Sequence, residues 1–178
     1  MIRPADIGEL ATLNRIYKSA RQYMANNGNP LQWSGGYPAK ELLISDIKSH
    51  QLYAVVSNGK ICGAFAFIIG PDPTYADIEG GAWLNDKPYG TIHRIASDGS
   101  KPGIFKACLD FCLEFTKNVR IDTHKDNHIM QSLLQANLFA KCGTIYVQDG
   151  ESDHSPRIAY HYDANDPKGT LIVKHSVI

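Results

Sequence analysis

The chain has 178 residues, and at roughly 150 residues per domain this length predicts one domain with a single core. Its 18 basic and 18 acidic side chains give a net charge of zero, so no long-range positive field would attract nucleic acid or an anionic membrane. Hydrophobic residues make up 43% of the sequence and charged residues 20%, which is typical of a folded globular protein. We therefore expect neither a nucleic-acid partner nor a membrane partner.

The N-terminal residues contain no cationic stretch followed by an apolar segment, and no window approaches about 18 consecutive apolar residues. This pattern predicts a cytoplasmic protein. Four cysteines lie within apolar runs and form no C-x-x-C pair: Cys62, Cys108, Cys112 and Cys142. We expect these thiols to be reduced and buried, and we expect none of them to act as a nucleophile.

The first third of the chain predicts two helices followed by an antiparallel pair of strands. Apolar residues recur at three- and four-residue spacing behind Asp6, a residue type that caps helices, which predicts a helix over residues 6–25. A second helical pattern follows Pro38. The segments 52–56 and 61–69 are rich in β-branched and aromatic residues, and the Asn-Gly pair between them is typical of a tight hairpin turn.

The rest of the chain alternates strands and helices. Apolar periodicity predicts one helix that opens at Ile104 and another that is capped by the Asp126-Asn127 pair. Strands are predicted over residues 89–96, 119–123, 143–147 and 157–162, with a polar loop over 148–155 between the last two. This order predicts an α/β or α+β fold, with helices on both sides of a single mixed sheet.

Three segments resemble the GNAT (Gcn5-related N-acetyltransferase) superfamily over about residues 2–162. The Ile-Arg-Pro-Ala-Asp opening at residues 2–6 resembles the small first strand that leads into the first helix of that superfamily. Residues 93–98, with the glycine-bearing loop and helix start at 99–109, resemble its acetyl-CoA-binding strand, loop and helix. Residues 122–127 resemble its second cofactor motif, in which an Asn contacts the pantetheine arm.

The resemblance implies a GNAT-like single domain over residues 1–163, followed by a C-terminal extension over residues 164–178. It implies a mixed, mostly antiparallel central sheet with helices on both faces and a splayed pair of central strands. It also implies acetyl-CoA as the acyl donor, with direct transfer of the acetyl group to a primary amine of a small molecule or peptide in a ternary complex. The alternative is a non-catalytic acyl-CoA-binding or regulatory module.

A loop that leaves a strand and opens a helix presents backbone N–H groups at the positive end of the helix dipole, which suits a pyrophosphate. The phosphate loop of the family reads Gln/Arg-x-x-Gly-x-Gly/Ala, and its matching positions are Ser100, Gly103 and Phe105 here. The residues expected to bind the cofactor are Ile95, Ala96, Ser97, Ser100, Lys101, Gly103, Ile104, Phe105, Lys106 and Asn127. Many GNAT proteins carry a Tyr as general acid at the position of Leu134, so the proton donor is left unassigned.

Three side chains are candidates for the general base: His124, Glu79 and His93. His124 ends a predicted strand close to Asn127, and its simpler interpretation is a residue that bonds the backbone at a helix start. Glu79 precedes two glycines that allow a close backbone approach, or it is a solvated loop carboxylate. His93 alternates with Arg94 on its strand, so one of the two is expected to face the cofactor side and the other to face away.

In the GNAT frame, the loop between the first two helices and the stretch before the fourth strand border the acceptor site. Three aromatic residues of these segments are therefore expected to bind substrate, or else to cover the edge of the core: Trp33, Tyr37 and Trp83. No metal is predicted, because the His124 and His128 pair lacks both the glutamate of a metalloprotease motif and a third ligand. The β-prone segment 170–173 is expected to pack on this chain or on a second copy, and the second alternative would give a homodimer.

Overall fold

Residues 1–149 and 152–167 are described by the computed structural model of the chain. In this part of the chain, seven strands form one open sheet that carries four helices. The strands are β1 (Ile2–Pro4), β2 (Leu52–Ser57), β3 (Lys60–Ile69), β4 (Gly90–Ser97), β5 (Asn118–Thr123), β6 (Ala140–Asp149) and β7 (Ser152–Asp163). The helices are α1 (Leu10–Asn26), α2 (Lys40–Lys48), α3 (Ile104–Leu113) and α4 (His128–Ala136).

The sheet has the order β1-β2-β3-β4-β5-β7-β6, and every neighbouring pair is antiparallel except β4 and β5. Alternate side chains of β3 belong to two different apolar clusters, one on each face of the sheet. Phe65 and Phe67 pack with α3 and α4, whereas Ala64 and Ala66 pack with α1 and α2. The predicted mixed, mostly antiparallel sheet with helices on both faces is therefore confirmed.

The structure contains both of the N-terminal caps that the sequence predicted, one at Asp6 and one at Asn127. The Asp6 carboxylate accepts a hydrogen bond from the Gly8 amide, and the Glu9 carboxylate accepts one from the Asp6 amide, so a short 3-10 turn precedes α1. The Asn127 side-chain oxygen accepts a hydrogen bond from the Met130 amide, 3.1 Å away, at the start of α4. The Asp6 cap thus fixes the start of the 3-10 turn before α1, and the Asn127 cap fixes the start of α4.

β4 separates from β5 soon after it begins. The two strands pair only at Gly90 with Val119 and at Thr91 with Arg120. Further along, β4 stays paired with β3 but changes register, because Ala66 lies opposite His93 whereas Ala64 lies opposite Ala96. The predicted splay of the central strands is thus present, and a β-bulge lies in the diverging part of β4.

The last two strands are longer than the sequence predicted. The polar segment 148–155 was expected to be a loop, but β6 continues to Asp149 and β7 begins at Ser152. Backbone hydrogen bonds carry this pairing, and they do not depend on apolar side chains. The predicted strand over 170–173 lies outside the described residues.

The four cysteines are free and buried, as predicted. Cys108 and Cys112 face the apolar cluster beneath α3, and burial raises the pKa of Cys108 to about 12 and that of Cys142 to about 11. Among the described residues, no helix combines the length and apolarity needed to cross a membrane.

Candidate active site

Three neighbouring depressions follow the opening between β4 and β5. The first, which we call the α3 cleft, is about 710 Å³ and lies between the end of β4, the loop before α3 and one side of α4. The second, the β4 cavity, is about 310 Å³ and lies beside the first part of β4. A third of about 150 Å³ shares lining residues with both, and Ile95 and Met130 line all three. The three depressions therefore adjoin one another along the splayed strands, and we call them together the groove.

The α3 cleft is lined by eight of the ten residues expected to bind the cofactor: Ile95, Ala96, Ser97, Lys101, Gly103, Ile104, Phe105 and Lys106. Asn127 lines the other two depressions instead. Ser100 does not line any of the three, because its hydroxyl and its amide both donate to the Asp98 carboxylate, at 2.6 and 2.9 Å. Local pairing with Asp98 thus directs this side chain away from the groove.

The start of α3 is open to an anionic ligand. Gly103 precedes the helix with a φ of 77°, a left-handed conformation that favours glycine, and none of the described side chains caps the first amides of the helix. A Cβ built on Gly103 meets no atom within 4 Å, so the glycine serves the backbone conformation and leaves space above it. Amides at the positive end of a helix, beside Lys101 and Lys106, fit the pyrophosphate of a CoA-type ligand.

Arg94 sits at the bulge of β4 with a φ of 52°, which is uncommon for a residue other than glycine. The bulge interrupts the alternation of side chains, so His93 and Arg94 both line the β4 cavity. The expectation that one of them would face away is therefore wrong. Both side chains become available to the same ligand.

A histidine–aspartate pair lies at the β4 cavity. His93 Nε2 is 2.7 Å from Asp72 Oδ2, and Asp72 also accepts hydrogen bonds from the amide and hydroxyl of Thr74. Burial by itself would raise the pKa of Asp72, but the hydrogen bonds from His93 and Thr74 lower it to about 2. Asp72 is therefore a carboxylate at neutral pH and fixes the orientation of the imidazole.

An arginine–aspartate pair lies elsewhere on the same cavity. Arg94 Nη2 donates to Asp46 Oδ2 at 2.7 Å, and Arg94 Nη1 is 3.4 Å from the Tyr37 hydroxyl. Burial raises the pKa of Asp46, although the charge of Arg94 opposes that change. Burial by itself would lower the pKa of the Arg94 guanidinium. The interactions with Tyr37 and Asp46 together are larger, so this pKa is raised. The pair is thus held in a poorly hydrated setting.

A third group joins β5, β7 and the loop before β4. Tyr75 donates its hydroxyl hydrogen to Asp122 Oδ1 at 2.6 Å, and Arg157 Nε lies 3.7 Å from Asp122 Oδ2. Burial, together with the charge of Asp122, raises the pKa of Tyr75 well above its ordinary value. Asp122 and Arg157 line the cavity, and Tyr75 packs behind His93 with a ring separation of 5.7 Å.

Of the three predicted substrate residues, Trp33 and Tyr37 line the β4 cavity and Trp83 does not. The Trp83 ring stacks on the Tyr75 ring with the centroids 5.3 Å apart. The Arg120 guanidinium carbon lies over the Trp83 ring, 4.1 Å from its centroid. Cation–π and stacking contacts thus occupy Trp83 behind the cavity wall.

Two of the predicted bases lie outside all three depressions. His124 is buried, its Nδ1 accepts a hydrogen bond from the Asp126 amide at 3.3 Å, and burial lowers its pKa. Glu79 is exposed and accepts a hydrogen bond from the Tyr146 hydroxyl, and its backbone pairs with Thr144. The structure therefore supports the simpler interpretation of His124, and it places Glu79 at the surface next to β6.

The glycines after Glu79 serve the fold. A Cβ built on Gly81 would lie 1.9 Å from the Cys142 carbonyl oxygen, so the close approach is to β6 and not to a substrate. Leu134, which matches the tyrosine position of the family, is fully buried and packs in the core. No cysteine lines any of the three depressions, and the described residues contain no cluster of three or more metal-ligating side chains.

Sequence reasoning missed the partners of the cavity: Asp46, Asp72, Asp122 and Arg157. One signal was present for Asp46, because it falls on the buried side of α2 between Leu43 and Ile47. A charged residue on the apolar side of a helix needs a buried partner. Nothing local to the sequence identified that partner as Arg94.

Comparisons with known proteins place the fold. No family model and no curated protein sequence matches the chain. A solved structure of a GNAT-family acetyltransferase from Streptococcus agalactiae superimposes with a TM-score of 0.81 at 28% identity, covering 92% of this chain and 94% of that one. The chain belongs to the GNAT superfamily.

Two solved structures with lower identity share the fold of this GNAT protein. A ribosomal-protein-alanine N-acetyltransferase from Brucella melitensis has a TM-score of 0.61 at 16% identity and covers 92% of this chain and 99% of that one. Mycobacterium smegmatis RimJ, solved with CoA-disulfide, has a TM-score of 0.57 at 15% identity and covers 97% and 88%. The similarity to GNAT acetyltransferases supports acetyl transfer as the general activity of this GNAT chain.

Proposed function

We propose that the chain is an N-acetyltransferase that moves an acetyl group from acetyl-CoA to a primary amine of a small molecule or peptide by direct attack. The observation that carries this proposal is the series of adjoining depressions between the amides of α3 and the His93–Asp72 pair. One end suits a pyrophosphate and the other holds a group able to accept a proton. The thioester of a ligand bound from the first end would meet the amine beside His93.

Acetyl-CoA, when bound, supplies a thioester carbonyl that an amine can attack. We propose that the amides at the start of α3, with Lys101 and Lys106, hold its phosphates, while Ile95, Ala96 and Ser97 border its pantetheine arm. Beyond Thr91 the described part of the chain offers β4 no pairing with β5, so backbone groups on that edge can bind the ligand. Asn127 lies at the junction of the groove and supports the same arm.

His93 is the proposed general base. With Asp72 ionised, the neutral imidazole donates its Nε2 hydrogen to Asp72 and leaves the Nδ1 lone pair to accept a proton. The Nδ1 atom would remove a proton from the bound ammonium, and the freed amine would form the new C–N bond as the C–S bond breaks. Asp72 acts as a positioning residue, because it holds the tautomer and stabilises the imidazolium.

The non-catalytic module remains the second candidate, and the buried Leu134 is the observation that favours it. A core leucine cannot donate a proton to a departing thiolate. The two candidates differ in whether bound acetyl-CoA is turned over in the presence of an amine.

The test combines acetyl-CoA titration calorimetry with thiol release across amino acids, polyamines, arylamines and short peptides. We expect binding and amine-dependent release, and we expect the His93→Gln variant to bind acetyl-CoA normally but to lose about a hundredfold or more in kcat. His124→Gln is the matched control, because His124 lies outside the groove. Binding without release for every amine would favour the module, and absence of binding would contradict both candidates.

We also propose that residues 1–163 form the catalytic domain, because β7 ends the sheet at Asp163. The remaining residues 164–178 would then be an extension that the groove does not need, which truncation after residue 163 followed by acetyl-CoA titration would test.

A further inference from the structure

The charges that line the β4 cavity limit the kind of acceptor it can bind. Among the residues that the structure describes, three carboxylates line the cavity, and each already has a cationic or imidazole partner: Asp46 with Arg94, Asp72 with His93, and Asp122 with Arg157. An acceptor with several ammonium groups would have to compete with these partners. The cavity is therefore poorly suited to a polyamine.

On the part of the cavity wall that the structure describes, the hydrogen-bonding capacity that remains lies with donors. The Arg94 side chain is only 10% exposed, and of its five N–H groups one donates to Asp46 and one points to Tyr37 at the long distance of 3.4 Å. Within the described residues, Arg94 Nε is buried and has no hydrogen-bond partner. A buried guanidinium with an unused N–H group is matched by an oxygen anion, above all by a carboxylate.

Thr123 provides a second, independent observation. Its hydroxyl is buried and without a partner in the part of the chain that the structure describes, and Thr123 lines the same cavity at the end of β5. A hydroxyl can donate to an anionic oxygen. Arg94 on β4 and Thr123 on β5 thus each line the cavity and each carry a buried polar atom that pairs with none of the described residues.

The backbone at Arg94 is consistent with a functional position. Its left-handed conformation costs free energy, and such strain persists where the surrounding structure enforces it, commonly at ligand sites. The bulge places the side chain that follows His93 on the same cavity as His93. A ligand anion bound by Arg94 would therefore sit next to the proposed base.

We propose that the acceptor is a small aminocarboxylate, whose carboxylate binds Arg94 and Thr123 and whose amine lies at His93. This inference rests on the proposed function. A cavity of about 310 Å³ is at the low end of ligand sites and matches a molecule of amino-acid size. Recognition of a carboxylate separates this substrate class from the N-terminus of a protein, in which an amide replaces the carboxylate.

The first test uses the unmodified protein. Thiol release from acetyl-CoA is measured with the standard α-amino acids, each paired with its carboxamide and its decarboxylated amine. We expect the preferred amino acid to exceed both analogues by about tenfold or more in kcat/KM, because the analogues leave the buried donors unpaired. Equal or better rates with the analogues would overturn this inference and leave acetyl transfer intact. Absence of release with every acceptor, polyamines and arylamines included, would overturn the proposed function as well.

The second test uses variants. Arg94→Gln and Thr123→Val should each reduce the preference for the carboxylate, that is, the ratio of kcat/KM for the amino acid to kcat/KM for its decarboxylated amine, mainly by raising KM for the amino acid. Arg15→Gln, an exposed change on α1, is the matched control and should keep the preference. If Arg94→Gln fails to fold, Thr123→Val and the analogue series still decide. An equal loss for all acceptors would show that Arg94 only supports the fold and would overturn its assigned role.

Discussion

His93 and Asp72 lie 21 residues apart in the chain, yet Nε2 of the first is 2.7 Å from Oδ2 of the second. The loop that precedes β4 folds back on the strand and delivers a carboxylate to its imidazole. The pair lines the same cavity as Arg94, and the groove continues from there to the start of α3. This relationship determines which of the candidate bases the structure favours.

Asp72→Asn should reduce kcat by about tenfold to a hundredfold, less than the loss at His93, because the imidazole would remain but its tautomer would no longer be held. A rate identical to that of the unmodified protein would show that Asp72 does not position His93.

The same pair predicts an acid-sensitive stability. The folded-state pKa of Asp72 is about 2, below its ordinary value of 3.8, so its stabilising contribution is present above about pH 4 and is lost as the pH falls towards 2. Urea unfolding over this range should show a steeper loss of stability in the unmodified protein than in Asp72→Asn. Parallel curves for the two proteins would contradict the depressed pKa.

Gly103→Glu should weaken acetyl-CoA binding by roughly a hundredfold, because a carboxylate would be placed at the amides and lysines proposed to hold the phosphates. Gly103→Ala is the control, since it imposes the same left-handed strain of about 1 kcal/mol without adding charge. Calorimetry should separate the two variants clearly. Similar affinities for both would show that the loop does not bind phosphate.

His161 should make the protein less stable as the pH falls below neutrality. Burial, together with the charge of Arg120, lowers its pKa to about 4 from an ordinary 6.5, and the nearby Asp163 opposes this only in part. As the pH falls, His161 is therefore protonated in the unfolded state before it is protonated in the folded state. The free energy of unfolding should fall by about 3 kcal/mol between pH 6.5 and pH 4.

His161→Gln can keep the hydrogen bonds of His161 to the Leu84 amide and to the Asn118 side chain. It should flatten the pH dependence of unfolding measured by urea titration. A slope unchanged by this substitution would place the titrating group elsewhere.

Each Cys→Ala variant should keep its turnover within about tenfold, or roughly 1.4 kcal/mol of barrier, because direct attack needs no acyl-cysteine. Burial keeps the Cys108 and Cys142 thiols protonated at neutral pH. Initial rates at varied concentrations of both substrates should give intersecting double-reciprocal lines. Parallel lines, or an acetylated cysteine trapped without amine, would contradict the direct mechanism.

The sequence by itself determined the elements and the order in which they occur. The caps at Asp6 and Asn127, the Asn-Gly turn and the apolar periodicities are local signals, and the structure follows them closely. The segment proposed to bind the cofactor was predictable for the same reason, because its strand, loop and helix are contiguous over residues 95–106. Its one misplaced member, Ser100, turned towards a neighbour two residues away.

Only the tertiary structure decided which polar side chains meet at the β4 cavity. His93 with Asp72, Arg94 with Asp46, and Tyr75 with Asp122 are 21, 48 and 47 residues apart. The alternation of side chains along a strand also predicted that His93 and Arg94 would face opposite sides. This prediction was wrong because a bulge adds one residue to β4, and no glycine in the sequence signals it. Burial of carboxylates forces them to find partners, but which partner they find depends on how distant elements pack, and local sequence patterns do not encode that packing.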